Sequence, residues 1–250
     1  MYPHPLLWPP ARELRDLFGP SLANASYLIN WSQKHRYIYV ETPKVACSSI
    51  KLSLQRIELD DRAYVPSDIH KRAQSPLLSV RARPLRFLRA LRSSAYFRFC
   101  FVRDPYARVL SAYLDKLVRN ERERPQSLAS LGLAPDAQPS FREFLEALER
   151  TEPSKFDVHW ARQVDLLTPK LVAYDFIGRF ENFREDFSTV LGRIGRGPDW
   201  IADARQHRTD ASAQLSQWIG PAERALIERI FAADFDAYGY SRGLAGPADA

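Results

Sequence analysis

The chain has 250 residues, 45% of them hydrophobic and 26% charged, the balance of a soluble globular protein with length for one large domain or two small ones. Its formal net charge of +6 suits an anionic ligand, an acidic glycan, nucleic acid or a membrane surface. No run of about 18 apolar residues is present, so no transmembrane span is expected. The two cysteines, Cys47 and Cys100, read as small buried apolar residues rather than a disulfide.

Residues 1–36 read as an N-terminal extension. Met1 to Leu6 lacks the basic and apolar regions of a signal peptide. Pro9-Pro10 precedes a short helical stretch, Ala11 to Phe18, closed by Gly19-Pro20, and residues 21–36 form a polar connector. Tyr37 to Val40 is a β-favouring apolar run suited to a strand buried on both faces. Pro43 ends it, since proline has no N–H for a ladder. Ser48 and Ser49 are good N-cap residues, and Ile50, Leu54 and Ile57 recur on one helix face, in a helix reaching about Glu58. A loop between a buried strand and a helix N-terminus directs several N–H groups and the positive end of the helix dipole at one spot, an anion site. Lys44 and Lys51 add charge, and the serines add hydroxyl donors. The loop has no glycine, so it is not the G-x-x-x-x-G-K-[ST] phosphate loop. An ordinary strand-to-helix turn with a surface lysine fits this stretch alone equally well.

Asp60 to His70 reads as a loop. Residues 71–95 carry Arg72, Arg81, Arg83, Arg86, Arg89 and Arg92 around a short helix with Leu85, Leu88, Ala90 and Leu91. This is either a solvated face or a rim that attracts an acidic acceptor. Phe97 to Val102 is a second buried strand. Asp104 sits where an N-cap belongs and Pro105 at the first helical position of a helix reaching about Arg119. Arg103 then lies at the strand's carboxyl end and Ser111 two turns into the helix, a guanidinium and a hydroxyl for a second phosphate. Residues 120–139 read as a surface loop or lid. Ser140 and Glu143 form a capping box before the apolar face Phe141, Phe144, Leu145 and Leu148. After His159-Trp160, Leu171 to Phe180 is a third strand, Asn182 to Ile194 a helix ended by Gly195, and Ala211–Trp218 and Pro221–Phe235 the last helices. Strands alternating with helices predict an α/β fold with a central parallel sheet flanked by helices, its ligands beyond the carboxyl ends of the strands.

Pro43-Lys44-Val45-Ala46-Cys47-Ser48-Ser49 resembles the 5′-phosphosulfate loop of the carbohydrate sulfotransferases. Phe101 to Tyr113 resembles their 3′-phosphate element, with seven residues between Arg103 and Ser111. His159-Trp160, the stretch Tyr174 to Glu181 and the ending Asp234 to Tyr240 match the chondroitin, dermatan and HNK-type members. The resemblance runs from about Tyr37 to Tyr240. It implies a single sulfotransferase domain over 1–250 with a P-loop-like three-layer fold, using 3′-phosphoadenosine 5′-phosphosulfate (PAPS) as donor and a carbohydrate or glycoconjugate hydroxyl as acceptor.

On that resemblance Lys44 serves the bridging oxygen, and Val45, Ala46, Cys47, Ser48, Ser49, Ile50 and Lys51 line the 5′ end. Arg103, Ser111, Arg208 and Thr209 hold the 3′-phosphate. Sulfuryl transfer needs alignment and charge stabilisation, and an acceptor hydroxyl needs a general base. His70 is the favoured base, His159 the second and Glu41 the third. Each has a plain structural alternative: a loop histidine, an anchor for Trp160 and a strand-end carboxylate. Asp175, Arg179 and Glu181 read as structural. The five histidines show no ligand spacing, so no metal is expected. Animal members are Golgi proteins with an N-terminal anchor. Without one, and with few cysteines, the chain reads as a cytoplasmic bacterial enzyme, or a Golgi-lumen one if the sequence is a trimmed piece. Peripheral membrane contact stays open and nucleic acid is not an expected partner. Two other classes remain: a P-loop-type kinase, opposed by the missing glycines and Walker B aspartate, and a non-catalytic basic domain binding anions or nucleic acid, opposed by the lack of an aromatic-basic platform.

Overall fold

A computed structural model describes residues 26–81, 83–204 and 209–243. Its strands are β1 (Ile29–Ser32), β2 (Tyr37–Val40), β3 (Phe97–Val102) and β4 (Phe176–Arg179). The α-helices are α1 (Cys47–Leu59), α2 (Pro84–Arg92), α3 (Pro105–Tyr113), α4 (Arg124–Ser130), α5 (Phe141–Arg150), α6 (Gln163–Leu167), α7 (Phe183–Arg193), α8 (Leu215–Trp218), α9 (Pro221–Ile230) and α10 (Ala232–Tyr238). Among the described residues two compact units emerge, one within 1–102 and 165–206, the other within 103–164 and 207–250. Each is discontinuous in sequence. The helix expected at Ala11–Phe18 lies outside the described residues.

The first unit holds the sheet, in the order β1-β2-β3-β4. β2, β3 and β4 are parallel, with Val40 opposite Cys100 and Phe101 opposite Gly178. β1 is antiparallel to β2, so the central sheet is mostly parallel, and β1 is a correction to the polar connector drawn over residues 21–36. Its polar residues hide it from a hydrophobic pattern: Asn30 and Ser32 are fully buried, and both are hydrogen-bonded. Side-chain alternation at period two puts Tyr37, Tyr39, Phe99 and Phe101 on one face, against Ile50, Leu54 and Ile57 of α1 and Phe187, Val190 and Leu191 of α7. Trp31, opposite Ile38, packs edge-on to Phe87 of α2 at 5.8 Å. The sheet is thus flanked by helices, as expected. Gly178 is required by space: a Cβ there would lie 2.3 Å from the Phe101 ring. The third strand is shorter than Leu171–Phe180, because a turn at Thr168 occupies its first residues and accepts from the N–H groups of Leu171 and Val172.

The second unit is helical around one core that includes Tyr106, Leu110, Tyr113, Phe144, Trp160 and Phe235. Asp104 accepts from Ala107 N at 3.0 Å and Pro105 opens α3, as the sequence predicts. The Ser140–Glu143 capping box on α5 is likewise present. Three expectations are corrected. The helix after Pro105 changes at Leu114 into a π-type coil through Arg119. The 120–139 stretch is not merely surface loop, because it contains α4 and buries Leu128 and Leu131. The helix expected over Pro221–Phe235 breaks at Phe231 into α9 and α10. In the α10 segment the Asp234 carboxylate accepts from Gln163 N and Val164 N, each at 2.9 Å, and Phe235 packs on Tyr106 at 5.1 Å.

Candidate active site

The loop from β2 into α1 is wound by two non-glycine residues in the left-handed region, Lys44 at φ 70 and Ala46 at φ 51. Such conformations cost roughly 1–2 kcal/mol each for residues with a Cβ. Ala46, not a serine, is the N-cap of α1, and no side chain caps the helix. Ser48 and Ser49 lie inside the first turn and their hydroxyls serve elsewhere: Ser49 Oγ accepts from Ala204 N at 3.2 Å, and Ser48 Oγ meets His70 Nε2 at 3.0 Å. This corrects their assignment as caps. The N-cap residue therefore offers no side-chain acceptor to the first N–H groups of this 13-residue helix. Lys44 stands half-buried beside them. Thr42 Oγ1, fully buried at the start of the loop, has no hydrogen-bond partner among the described residues. Those features fit an anionic group at this turn. Ile50 falls outside the donor set, because its side chain is in the core and its N–H is bonded to Ala46 O.

Behind the loop lies a buried charged network. Lys51, 1% exposed, pairs with Glu41 Oε2 at 2.9 Å and meets His70 Nδ1 at 2.8 Å. Glu41 is fully buried, so neither residue presents its charge to the loop surface. Asn30 reaches Glu41 at 3.5 Å and accepts from Arg72 at 2.7 Å. Glu41, Cys47 and His70 place a carboxylate, a thiol and an imidazole within 4.8 Å of one another, a grouping that spacing does not reveal. The chain supplies its own cation there, since the Lys51 ammonium contacts both Glu41 and His70. Burial, then the Glu41 charge, pushes the Cys47 thiol up to about 11, with Lys51 and Lys44 opposing. Both cysteines are free thiols.

In the second unit Arg103, Ser111 and Thr209 are nearly fully buried. Ser111 Oγ and Thr209 Oγ1 are 2.9 Å apart. The Arg103 backbone is held at both ends by the Gln163 amide at 2.9 Å, and its guanidinium donates to Ser212 Oγ at 2.9 Å. Gln163 and Ser212 carry no signal in the sequence beyond their neighbours. Arg208 lies outside the described residues. Because Asp104 already caps α3, any anion here is met by side chains rather than by the helix end.

His159 Nδ1 lies 2.6 Å from Asp157 Oδ1. Burial works against ionisation of Asp157, but the hydrogen bonds and charge of His159 outweigh it and hold the carboxyl below its usual range. The surrounding turn is fixed by Arg108, which donates to Ala161 O at 2.6 Å and Val158 O at 3.4 Å. Trp160 anchors the segment, 1% exposed and 5.6 Å from Phe144. Asp175 holds Arg98 at 2.9 and 3.0 Å, and Arg179 N donates to Asp186, matching their structural reading.

The strand-loop-helix turn and the Arg103–Ser111 element both lie in a stretch that defines the class: the chain belongs to the sulfotransferase family, whose model matches residues 28–241. Among characterised proteins it is similar to carbohydrate sulfotransferase 14 of Homo sapiens, 30% identical over 225 residues that cover 84% of this chain and 59% of that protein. The Danio rerio protein of that name is 33% identical over 225 residues, 84% of this chain and 61% of the relative. Carbohydrate sulfotransferase 9 of Homo sapiens is 28% identical over 231 residues, 83% and 52% respectively. The chain therefore spans 52–61% of the length of these three relatives. No solved structure matches. Among the described residues no helix is long and apolar enough to cross a membrane.

Proposed function

We propose that the chain transfers a sulfuryl group from PAPS to a hydroxyl of a carbohydrate or glycoconjugate. The observation that carries this is the α1 N-terminus, set behind a left-handed turn and left without a side-chain cap, with Lys44 beside it. A turn of that kind binds a phosphate-like anion without glycine. PAPS, when bound, supplies the activated sulfuryl group. Lys44 meets the charge that develops on the leaving oxygen, and the N–H groups of the turn with the Ser48 hydroxyl hold the other oxygens. Arg103, Ser111 and Thr209, with Arg208, hold the 3′-phosphate that distinguishes this donor from a nucleoside triphosphate.

The acceptor hydroxyl must lose a proton. Glu41 is unsuited to take it, being fully buried and bound to Lys51. His159 has the wiring of a base: the Asp157 carboxylate fixes Nδ1 as the protonated nitrogen, so Nε2 carries the lone pair. A cytoplasmic bacterial setting accords with two free thiols and is part of the proposal.

The test is ligand preference followed by turnover. Adenosine 3′,5′-bisphosphate should raise the melting temperature without metal, while ADP with Mg²⁺ and a DNA oligomer should not. Labelled PAPS should then pass its label to one of a panel of glycan acceptors. Preference for ADP with Mg²⁺ would favour a kinase, and preference for DNA a basic binding domain.

A further inference from the structure

We propose that His70 acts as a hydrogen-bond donor that positions Ser48, in a polarised chain beginning at the buried Lys51–Glu41 pair, and not as the base. The proposal rests on the sulfotransferase reading for the identity of the anion. Both ring nitrogens of His70 are engaged within the first unit, Nδ1 by Lys51 Nζ at 2.8 Å and Nε2 by Ser48 Oγ at 3.0 Å. Lys51 is ion-paired with Glu41 at 2.9 Å, and an ammonium only donates. His70 Nδ1 is therefore the acceptor, and in the neutral ring the proton lies on Nε2. Nε2–H then donates to Ser48 Oγ. A serine hydroxyl that accepts from an imidazole keeps its own hydrogen for another partner. The sequence of donors runs Lys51, His70, Ser48, each link oriented toward the turn at α1.

The consequence is electrostatic. Lys51 is 1% exposed and does not itself reach the loop surface. Linked hydrogen bonds polarise one another in a low-dielectric interior. The ammonium thus strengthens the Ser48 hydroxyl as a donor to an anion, while Glu41 holds Lys51 in place. Asp68 orients the segment, accepting from His70 N at 2.8 Å. Four residues of ordinary type gain a single role: Glu41, Lys51 and His70 as positioning residues and Ser48 as the group that touches the anion. A base would need an open lone pair, and neither nitrogen of His70 offers one.

The experiment compares His70→Ala with His70→Gln, measuring adenosine 3′,5′-bisphosphate affinity and turnover in each. A glutamine amide nitrogen can stand where Nε2 stands and donate to Ser48, but it cannot accept a proton at neutral pH. The proposal expects His70→Ala to weaken bisphosphate binding about tenfold and His70→Gln to restore both affinity and turnover to within about threefold of the parent. If both variants bind the bisphosphate normally and are equally inactive, His70 is the base and the proposal fails. Ser48→Ala should mimic His70→Ala in binding, and adding His70→Ala to it should cost little more; full additivity would also overturn the chain. Failure of the parent protein to bind the bisphosphate would instead remove the sulfotransferase reading, a different outcome from any of these.

Discussion

The two strand-to-helix junctions, Glu41–Ser49 after β2 and Arg103–Ala107 after β3, begin alike and finish differently. Each follows a buried parallel strand and opens a helix. After β3, Asp104 and Pro105 complete the helix end by themselves: a carboxylate accepts from Ala107 N and proline removes one donor. After β2, Ala46 stands at the N-cap with no side chain to offer, and two residues take left-handed backbone to make the turn. The first arrangement is self-satisfied and stable. The second has no side-chain acceptor at its N-cap. On the function proposed above, a missing cap is as informative as a present one, since it falls where the anionic end of the donor would supply the acceptor.

The contrast can be broken from either side. The largest effects should come from charge. Lys44→Ala and Arg103→Ala should each reduce donor binding or turnover tenfold or more, read by bisphosphate titration and initial rates, because each removes a charge-assisted contact. Both retaining parental kinetics would remove the assignment of these residues. Next is Asp104→Ala, which should lower unfolding stability by about 1 kcal/mol in a denaturant titration, since it strips the cap from α3. The smallest effect is expected at Ala46. Glycine is favoured over alanine at an N-cap and takes left-handed backbone without a Cβ penalty, against the greater freedom it has in the unfolded chain, so Ala46→Gly should leave stability within about 0.5 kcal/mol of the parent or raise it. A loss above about 1 kcal/mol would mean that the turn is not strained as its dihedral angle implies.

The two imidazoles teach a parallel lesson. Their side chains are similarly exposed, 25% for His70 and 23% for His159, so exposure does not separate their roles. Their partners do. On the roles proposed above, a cation at Nδ1 makes His70 a donor at Nε2, whereas a carboxylate at Nδ1 makes His159 an acceptor there.

Much of this was legible in the residues. Tyr37–Val40 and Phe97–Val102 are strands as read, since continuous β-favouring runs leave little choice. The Asp104-Pro105 start and the Ser140 capping box are local signals with local partners. What stayed hidden depends on distant partners. β1 is disguised by Asn30 and Ser32, which are polar because they bind Arg72 and Glu58 rather than water. Ser48 and Ser49 look like caps because N-cap preference is a property of the residue, while their actual bonds to His70 and Ala204 are properties of the fold. Lys51 reads as a phosphate ligand until Glu41 is seen beside it. Gln163 clamps Arg103 from sixty positions away, a distance over which no motif speaks.

Cys47 gives the turn a chemical temperament of its own. With its thiol pushed up to about 11, the reactive thiolate is scarce at neutral pH. A sulfur placed at the start of this helix is thus kept quiet toward electrophiles and oxidants. Any event that drew Lys51 away from Glu41 would alter the charges around that thiol, so its alkylation rate is a built-in gauge of whether the buried pair is intact.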